Sequence, residues 1–350
     1  MMDNKIKIIR ENGEFAEATT PVIVSASRST DIPAFYSKWF MNRLEKGYCI
    51  WYNPFNRKPM FISFKNTKVI VFWTKNPEPM IKYLPELDRR GIHYYFQITL
   101  NDYDKEGFEP NVPNLISRIE TFKHLSNIIG SKKVIWRFDP LILTEELTPR
   151  KLLTRIYHIG NQIKGYTDKL VFSFVDVKVY RKVQNNLIKE TPFFTKENID
   201  LAEPEGEKRK ELVEGLVKLR EHWRKEGWNL ELATCSEDVD LEKYSISHNS
   251  CIDGDLMERL FYEDNELLYY LKSGKLPQPD IFGNVPELAI KRRNLKDKGQ
   301  RKACGCIVSK DIGMYNTCKH LCVYCYANTS RECVLNNVRK YDDNGESIIG

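Results

Sequence analysis

Short β-branched or aromatic runs alternate along this chain with longer segments of helical amphipathicity. The runs at 22–24, 68–73, 94–100, 133–138, 170–175 and 229–234 predict six strands. Asp31-Ile32-Pro33 opens a helix over 33–46, which Gly47 ends. Thr148 is an N-cap, with Pro149 at the first helical position. Residues 207–226 form an amphipathic helix stopped by Gly227. Strands alternating with helices predict a parallel sheet with crossover helices, an α/β fold of the (β/α) barrel type, partial or complete. No internal repeat or low-complexity tract interrupts the pattern. The expected organisation is a barrel body over 1–274, an irregular Pro-, Gly- and Lys-rich connector over 275–302, and a segment over 303–350 that completes the barrel.

Each strand runs into polar groups. Ser25 to Arg28 follow the first, Thr74-Lys75-Asn76 the second and Asn101-Asp102 the third. Arg137-Phe138-Asp139 close the fourth, Asp176 the fifth, and Cys235 to Asp238 the sixth. In a (β/α) barrel these ends share one face, and that face carries the chemistry. Strands that simply turn into loops give the same polarity, but recurring Lys, Arg, Asp and Cys favour an active-site rim.

The 350 residues are 41% hydrophobic and 29% charged, which excludes a disordered chain. No stretch approaches the roughly 18 apolar residues of a membrane span. The first fifteen residues lack the apolar core of a secretory signal. A cytoplasmic protein is expected. The net charge is +6, and residues 291–302 alone carry seven Lys or Arg against one Asp. A nucleic-acid contact, a solvated linker, or a counter-charge for thiolates would each suit that run.

Nine cysteines change the picture. In a reducing cytosol, clustered cysteines point to metal or redox chemistry. Cys49 and Cys333 stand alone. Cys318-Lys319-His320-Leu321-Cys322-Val323-Tyr324-Cys325 packs three thiols into a C-x3-C-x2-C spacing. Structural zinc takes four tetrahedral ligands, usually as two separated pairs, and His320 is the only other nearby donor. A three-thiol loop suits a [4Fe–4S] cluster, with one iron left open for a substrate or cofactor. Cys235, Cys251, Cys304 and Cys306 make a further four, the usual count for a second [4Fe–4S] cluster or a structural zinc, with the cluster placed first. His93, His124, His158, His222 and His248 are scattered and read as structural. P-loop, dinucleotide and serine-hydrolase motifs are absent from the sequence.

The span 315–327 resembles the cluster motif of radical S-adenosylmethionine enzymes, most closely their spore-photoproduct-lyase-like branch. Gln97 to Leu100, Glu109-Pro110 with Arg118, and Arg137 to Ile142 resemble the middle strands of that branch in order. From residue 20 to 328 the chain also resembles a widespread prokaryotic domain family of unknown function. The first resemblance implies Cys318, Cys322 and Cys325 as cluster ligands and S-adenosylmethionine on the open iron. It further implies a 5′-deoxyadenosyl radical that abstracts hydrogen from a substrate, and a reductant partner of ferredoxin or flavodoxin type. Lys75, Arg137, Asp139 and Asp176 become candidate catalytic residues, and Thr99, Asn101 and Tyr324 candidate cofactor contacts. Lys75 and Arg137 would bind a carboxylate or anionic substrate, or else form ion pairs with Asp139 or Asp176. Nucleic acid is a candidate substrate by lineage.

In that superfamily the cysteine loop follows the first strand, whereas here it comes last. A circularly permuted barrel reconciles the two. The loop then belongs at the C-terminal mouth within reach of Arg137 and Asp176, with 329–341 a helix outside. Two rival functions stay open: an electron-transfer iron–sulfur protein with Cys333 as fourth thiolate, and a zinc-stabilised nucleic-acid-binding protein.

Overall fold

The structure, a computed structural model, describes residues 5–235, 237, 239–278 and 293–349. Ser236, Asp238, Lys291, Arg292 and the middle of the expected connector lie outside the described residues. The chain opens on an antiparallel hairpin of β1 (Lys5–Ile9) and β2 (Phe15–Thr19). Next come β3 (Ile23–Ala26), α1 (Ile32–Phe35), α2 (Ser37–Lys46), β4 (Tyr48–Tyr52) and β5 (Pro59–Ser63). β5 joins β2 in parallel and β4 antiparallel, which completes a small four-stranded sheet. The sequence reading named no strands there.

The large sheet uses β6 (Val69–Thr74), β7 (His93–Thr99), β8 (Val134–Leu141), β9 (Lys169–Phe174) and β10 (Glu231–Thr234). Helices α3 (Glu78–Ile81) and α4 (Leu84–Arg89) follow β6, α5 (Leu115–Ile129) follows β7, and α6 (Pro149–Ile163) follows β8. α7 (Arg181–Glu190) and α8 (Gly206–Lys225) follow β9. The rest is β11 (Ser247–His248), α9 (Gly254–Leu260), α10 (Asn265–Ser273), β12 (Lys310–Asp311) and α11 (Arg331–Val338). Eight strands lie in the order β11-β10-β9-β8-β7-β6-β3-β12, every pair parallel. All six expected strands are present, their bounds shifted by one to three residues at one end or both. The helix expected over 33–46 breaks at Tyr36, whose hydroxyl is spent on the Thr317 carbonyl at 2.6 Å.

Side chains alternate across a strand, so a parallel sheet covered on both faces needs two apolar sets. Ile70, Phe72, Phe96, Trp136, Phe138 and Phe172 pack in one cluster with Ile119, Ile156 and Leu216 of the crossover helices. Val69, Val71, Tyr95, Ile135, Val171 and Ala233 form the other with Met257, Leu267 and Leu271 of α9 and α10. Continuing that second alternation past the apolar residues brings Gln97, Thr99, Arg137, Asp139, Ser173 and Cys235 onto the same face as that second cluster. None of the described helices is long and apolar enough to cross a membrane.

β12 is last in sequence yet lies beside β3, the first strand of this sheet. Its Asp311 carboxylate accepts hydrogen bonds from the hydroxyls of Ser25 (2.6 Å), Ser27 (2.9 Å) and Ser29 (3.1 Å). It also accepts from the backbone N–H of Arg28 and Gly313. Gly313 has no room for a side chain, since a Cβ there would lie 1.8 Å from Ser27 Oγ and 2.7 Å from Ser29 Oγ. Gly313→Ala should therefore cost about 1–3 kcal/mol and lower the melting temperature. An unchanged melt would mean that β12 is not clamped in this way.

Candidate functional site

The three motif cysteines follow β12 at the C-terminal end of the sheet, in a loop braced by its non-cysteine residues. His320 is buried. Its Nε2 meets Asp31 Oδ2 at 2.8 Å, its Nδ1 meets the Asn111 carbonyl at 3.3 Å, and its ring packs on Phe35. It is thus a brace for the loop and is occupied as a donor. Asp31 also caps α1 through Ala34 N–H and accepts from Lys75 N–H at 2.7 Å, so one carboxylate joins loop, helix and β6. Asn328 Nδ2 donates to the Cys318 carbonyl, and Val323 N–H to that of Phe108. Cys318, Cys322 and Cys325 lie close enough to influence one another electrostatically, and burial pushes all three thiols up, Cys322 to about 12.

Beneath the loop sits a buried ionic network. Lys75 Nζ donates to Glu109 Oε1 at 2.8 Å and lies 2.9 Å from the Tyr324 hydroxyl. Tyr324 donates to the same carboxylate, and Asn101 Nδ2 reaches it at 2.9 Å. Arg118 Nη1 stands 3.7 Å from Glu109 Oε2. Burial alone would raise the Glu109 carboxyl, but the charges of Lys75 and Arg118 outweigh it and hold it at about 2. Burial likewise opposes the Lys75 ammonium, and Glu109 keeps its pKa above the ordinary value. Glu109 Oε2 and both terminal nitrogens of Arg118 are buried without a hydrogen-bond partner.

A second network lies on the face of the second cluster. Arg137 forks onto Asp139, which also accepts from Ser173. The other arm of Arg137 meets Gln97 Oε1 at 3.2 Å and Cys251 Sγ at 3.1 Å. Asn101 ties the two networks together, bonding Asp139 N–H at 3.0 Å and its carbonyl at 3.1 Å. Nearby, Glu237 accepts from Phe174 N–H, and burial raises its carboxyl to about 7.

Lys75, Asn101, Tyr324, Arg137 and Asp139 are thus brought together at one end of the sheet. Thr99 ends β7 opposite Arg137. Asp176 accepts from Val179 N–H and pairs with Arg301 at 3.1 Å, the one residue of the basic run that meets this rim among the described interactions. Cys333 lies on α11, a helix shorter than the expected 329–341. Cys235, Cys251, Cys304 and Cys306 do converge. Cys235 and Cys251 are 3.4 Å apart, Cys306 Sγ accepts from Ile252 N–H, and Gly305 between Cys304 and Cys306 is pressed against Ser250. None of the nine cysteines is in a disulfide. Among the described residues no three His, Cys, Asp or Glu side chains are arranged to hold a single metal ion.

Asp311 was not singled out from sequence, Asp31 appeared only as a helix start and Arg28 only as a strand end, and Glu109 and Arg118 only through a resemblance. An acid two residues before a glycine and seven before the first motif cysteine was the available signal for Asp311.

A family profile described as "Domain of unknown function (DUF1848)" matches residues 23–327. The chain belongs to this family. No curated protein matches it. Among solved structures, dihydropyrimidinase from Brevibacillus agri NCHU1002 aligns at 13% identity and a TM-score of 0.25, over 73% of this chain and 52% of that one. D-hydantoinase from Bacillus sp. AR9 aligns at 13% identity and a TM-score of 0.21, over 61% and 46%. The chain spans about half the length of each, and neither similarity carries an argument about the fold or function of this DUF1848 member.

Proposed function

We propose that this chain is a [4Fe–4S] enzyme of the radical S-adenosylmethionine type, with Cys318, Cys322 and Cys325 as the cluster ligands. The observation that carries the reading is the placement of a three-thiol loop, hung from β12, over the buried Lys75–Glu109–Tyr324 network. The donor set fits. A cubane takes each thiolate on a different iron, so three thiols need not surround one point and one iron is left without a protein ligand. Glu109 Oε2 and the Arg118 terminal nitrogens, buried and held only by ion pairs without a hydrogen bond, complement a group carrying one ammonium and one carboxylate. The amino-acid end of S-adenosylmethionine is such a group. The position of β12 beside β3 supports a circularly permuted barrel, in which the loop keeps its ordinary place after the first strand.

A cluster held by Cys318, Cys322 and Cys325 would supply the one electron needed to break the sulfonium carbon–sulfur bond, leaving methionine and a 5′-deoxyadenosyl radical. The chain's own residues then have distinct work. Glu109 stays ionised and fixes Tyr324, while Lys75 balances its charge. Asn101 holds that assembly against β8, and Arg137 with Asp139 presents a charged floor to a substrate. A ferredoxin- or flavodoxin-type donor supplies the electron.

The test is an electron paramagnetic resonance spectrum of anaerobically reconstituted protein, with and without S-adenosylmethionine. The reduced spectrum should change on addition, and a strong reductant should yield 5′-deoxyadenosine and methionine slowly without substrate. Cys333→Ser should keep both the cluster and the cleavage. If Cys333→Ser destroys the cluster, and wild-type protein neither binds nor cleaves S-adenosylmethionine, the fourth iron is closed and the electron-transfer reading replaces this one.

A further inference from the structure

We infer that Cys235, Cys251, Cys304 and Cys306 bind one tetrahedral metal ion of the zinc type, which clasps the two open edges of the parallel sheet. Cys235 follows β10 and Cys251 follows β11, at one edge; Cys304 and Cys306 precede β12, at the other. No strand ladder joins β11 to β12 among the described residues. What brings the edges together is a hydrogen bond from Ile307 N–H to the Ile252 carbonyl at 3.1 Å, together with the sulfurs themselves. Gly305 is pressed against the opposite segment, where a Cβ would lie 2.4 Å from Ser250 Oγ. That approach sets the two cysteines flanking Gly305 against Cys251.

Distances decide between the two metals that a four-thiol count allows. With zinc–sulfur bonds of about 2.3 Å, the sulfurs of one tetrahedron are about 3.8 Å apart. A cubane spreads its thiolates over four different irons. Cys235 and Cys251 at 3.4 Å, with Cys306 Sγ drawn to the backbone next to Cys251 by Ile252 N–H at 3.3 Å, fit the smaller span. This reverses the order expected from the count. Among the described residues the sulfurs do not yet surround one point, so side-chain rotation has to close them about the ion.

The surroundings suit thiolates. Asn249 Nδ2 donates to Cys251 Sγ at 3.3 Å, Ile252 N–H to Cys306 Sγ at 3.3 Å, and Arg137 Nη1 to Cys251 Sγ at 3.1 Å. Such N–H donors orient ligating sulfurs. Four thiolates around a divalent ion leave two negative charges. The guanidiniums of Arg28 and Arg137, both close to these sulfurs, offset them, and Arg28 Nη2 is buried without a hydrogen bond.

The inference does not rest on the radical reading, and its test keeps the two apart. Zinc, iron and sulfide are measured per chain in full-length wild type, in the Cys318→Ala/Cys322→Ala/Cys325→Ala triple variant, and in Cys304→Ser/Cys306→Ser. About one zinc is expected in the wild type and in the triple variant, and close to none in the double variant. Cobalt exchanged into the triple variant should show intense thiolate-to-metal absorption and tetrahedral ligand-field bands. Should the double variant fail to fold, Cys304→Ser alone should lose zinc to a chelator faster than wild type. The inference is overturned if the triple variant holds iron and sulfide in place of zinc. It is equally overturned if the triple variant holds no metal and Cys235 and Cys251 are recovered as a disulfide.

Discussion

Replacing Cys318, Cys322 and Cys325 together with alanine will strip the protein of iron and sulfide and reduce S-adenosylmethionine cleavage to background. The fold should survive the change, because the loop is held by groups other than its sulfurs. His320 is bonded to Asp31, Tyr324 to Glu109, Asn328 to the Cys318 carbonyl, and Asp311 to the three serines after β3. Far-ultraviolet circular dichroism should therefore stay close to wild type while metal analysis and product formation collapse. Cys333→Ala, made in parallel, should change neither. An iron content unaffected by the triple replacement would remove the cluster assignment outright. A triple variant that loses its helical signal along with its iron would show that the metal, and not the surrounding hydrogen bonds, organises the loop.

The alternation of strands and helices was legible because each central strand carries β-branched or aromatic residues on both faces, as in Val69 to Phe72 or Tyr94 to Ile98. The rim was legible for a related reason: Lys75, Arg137 and Asp139 interrupt apolar runs where a buried strand would have no use for charge. β12 was not legible. It is two residues long, Lys310 and Asp311, and it exists because the Asp311 carboxylate is ringed by donors from the β3 loop. Glu109 and Arg118 gave no periodic signal either, since their meaning lies in contacts with Lys75 and Tyr324 made across long stretches of chain. Cysteine spacing told which thiols belong to one loop. The count of the remaining four suggested a second site, but spacing could not say which segments bring them together, nor that His320 is already engaged. The small sheet of β1, β2, β4 and β5 was missed because β1 and β2 leave much of their length exposed and offer little apolar run to read.

Glu109→Gln will lower stability by about 3–5 kcal/mol, and the deficit will shrink as the solution is made acid. The first half follows from burial. Arg118 is buried and Lys75 largely so, and without the carboxylate Lys75 loses its ion-pair partner while Arg118 keeps only the 3.6 Å pair with Asp104. The second half follows from the carboxyl's position near 2 against an ordinary value of 4.5. An acid whose folded pKa is depressed adds stability that is fully present above its unfolded value. That stability is lost as the pH falls through the folded value, here between about 4.5 and 2. A shift of this size corresponds to roughly 3 kcal/mol, the same order as the cost of breaking the pair. Denaturant melts of wild type and variant at pH 7 should thus differ widely, and those at pH 3 should differ less. Lys75→Met added to Glu109→Gln should cost less than the two single changes summed, because the second removes a charge that the first has stranded. A gap between wild type and Glu109→Gln that stays constant from pH 7 to pH 3 would mean the carboxylate is not what holds these cations beneath the cysteine loop.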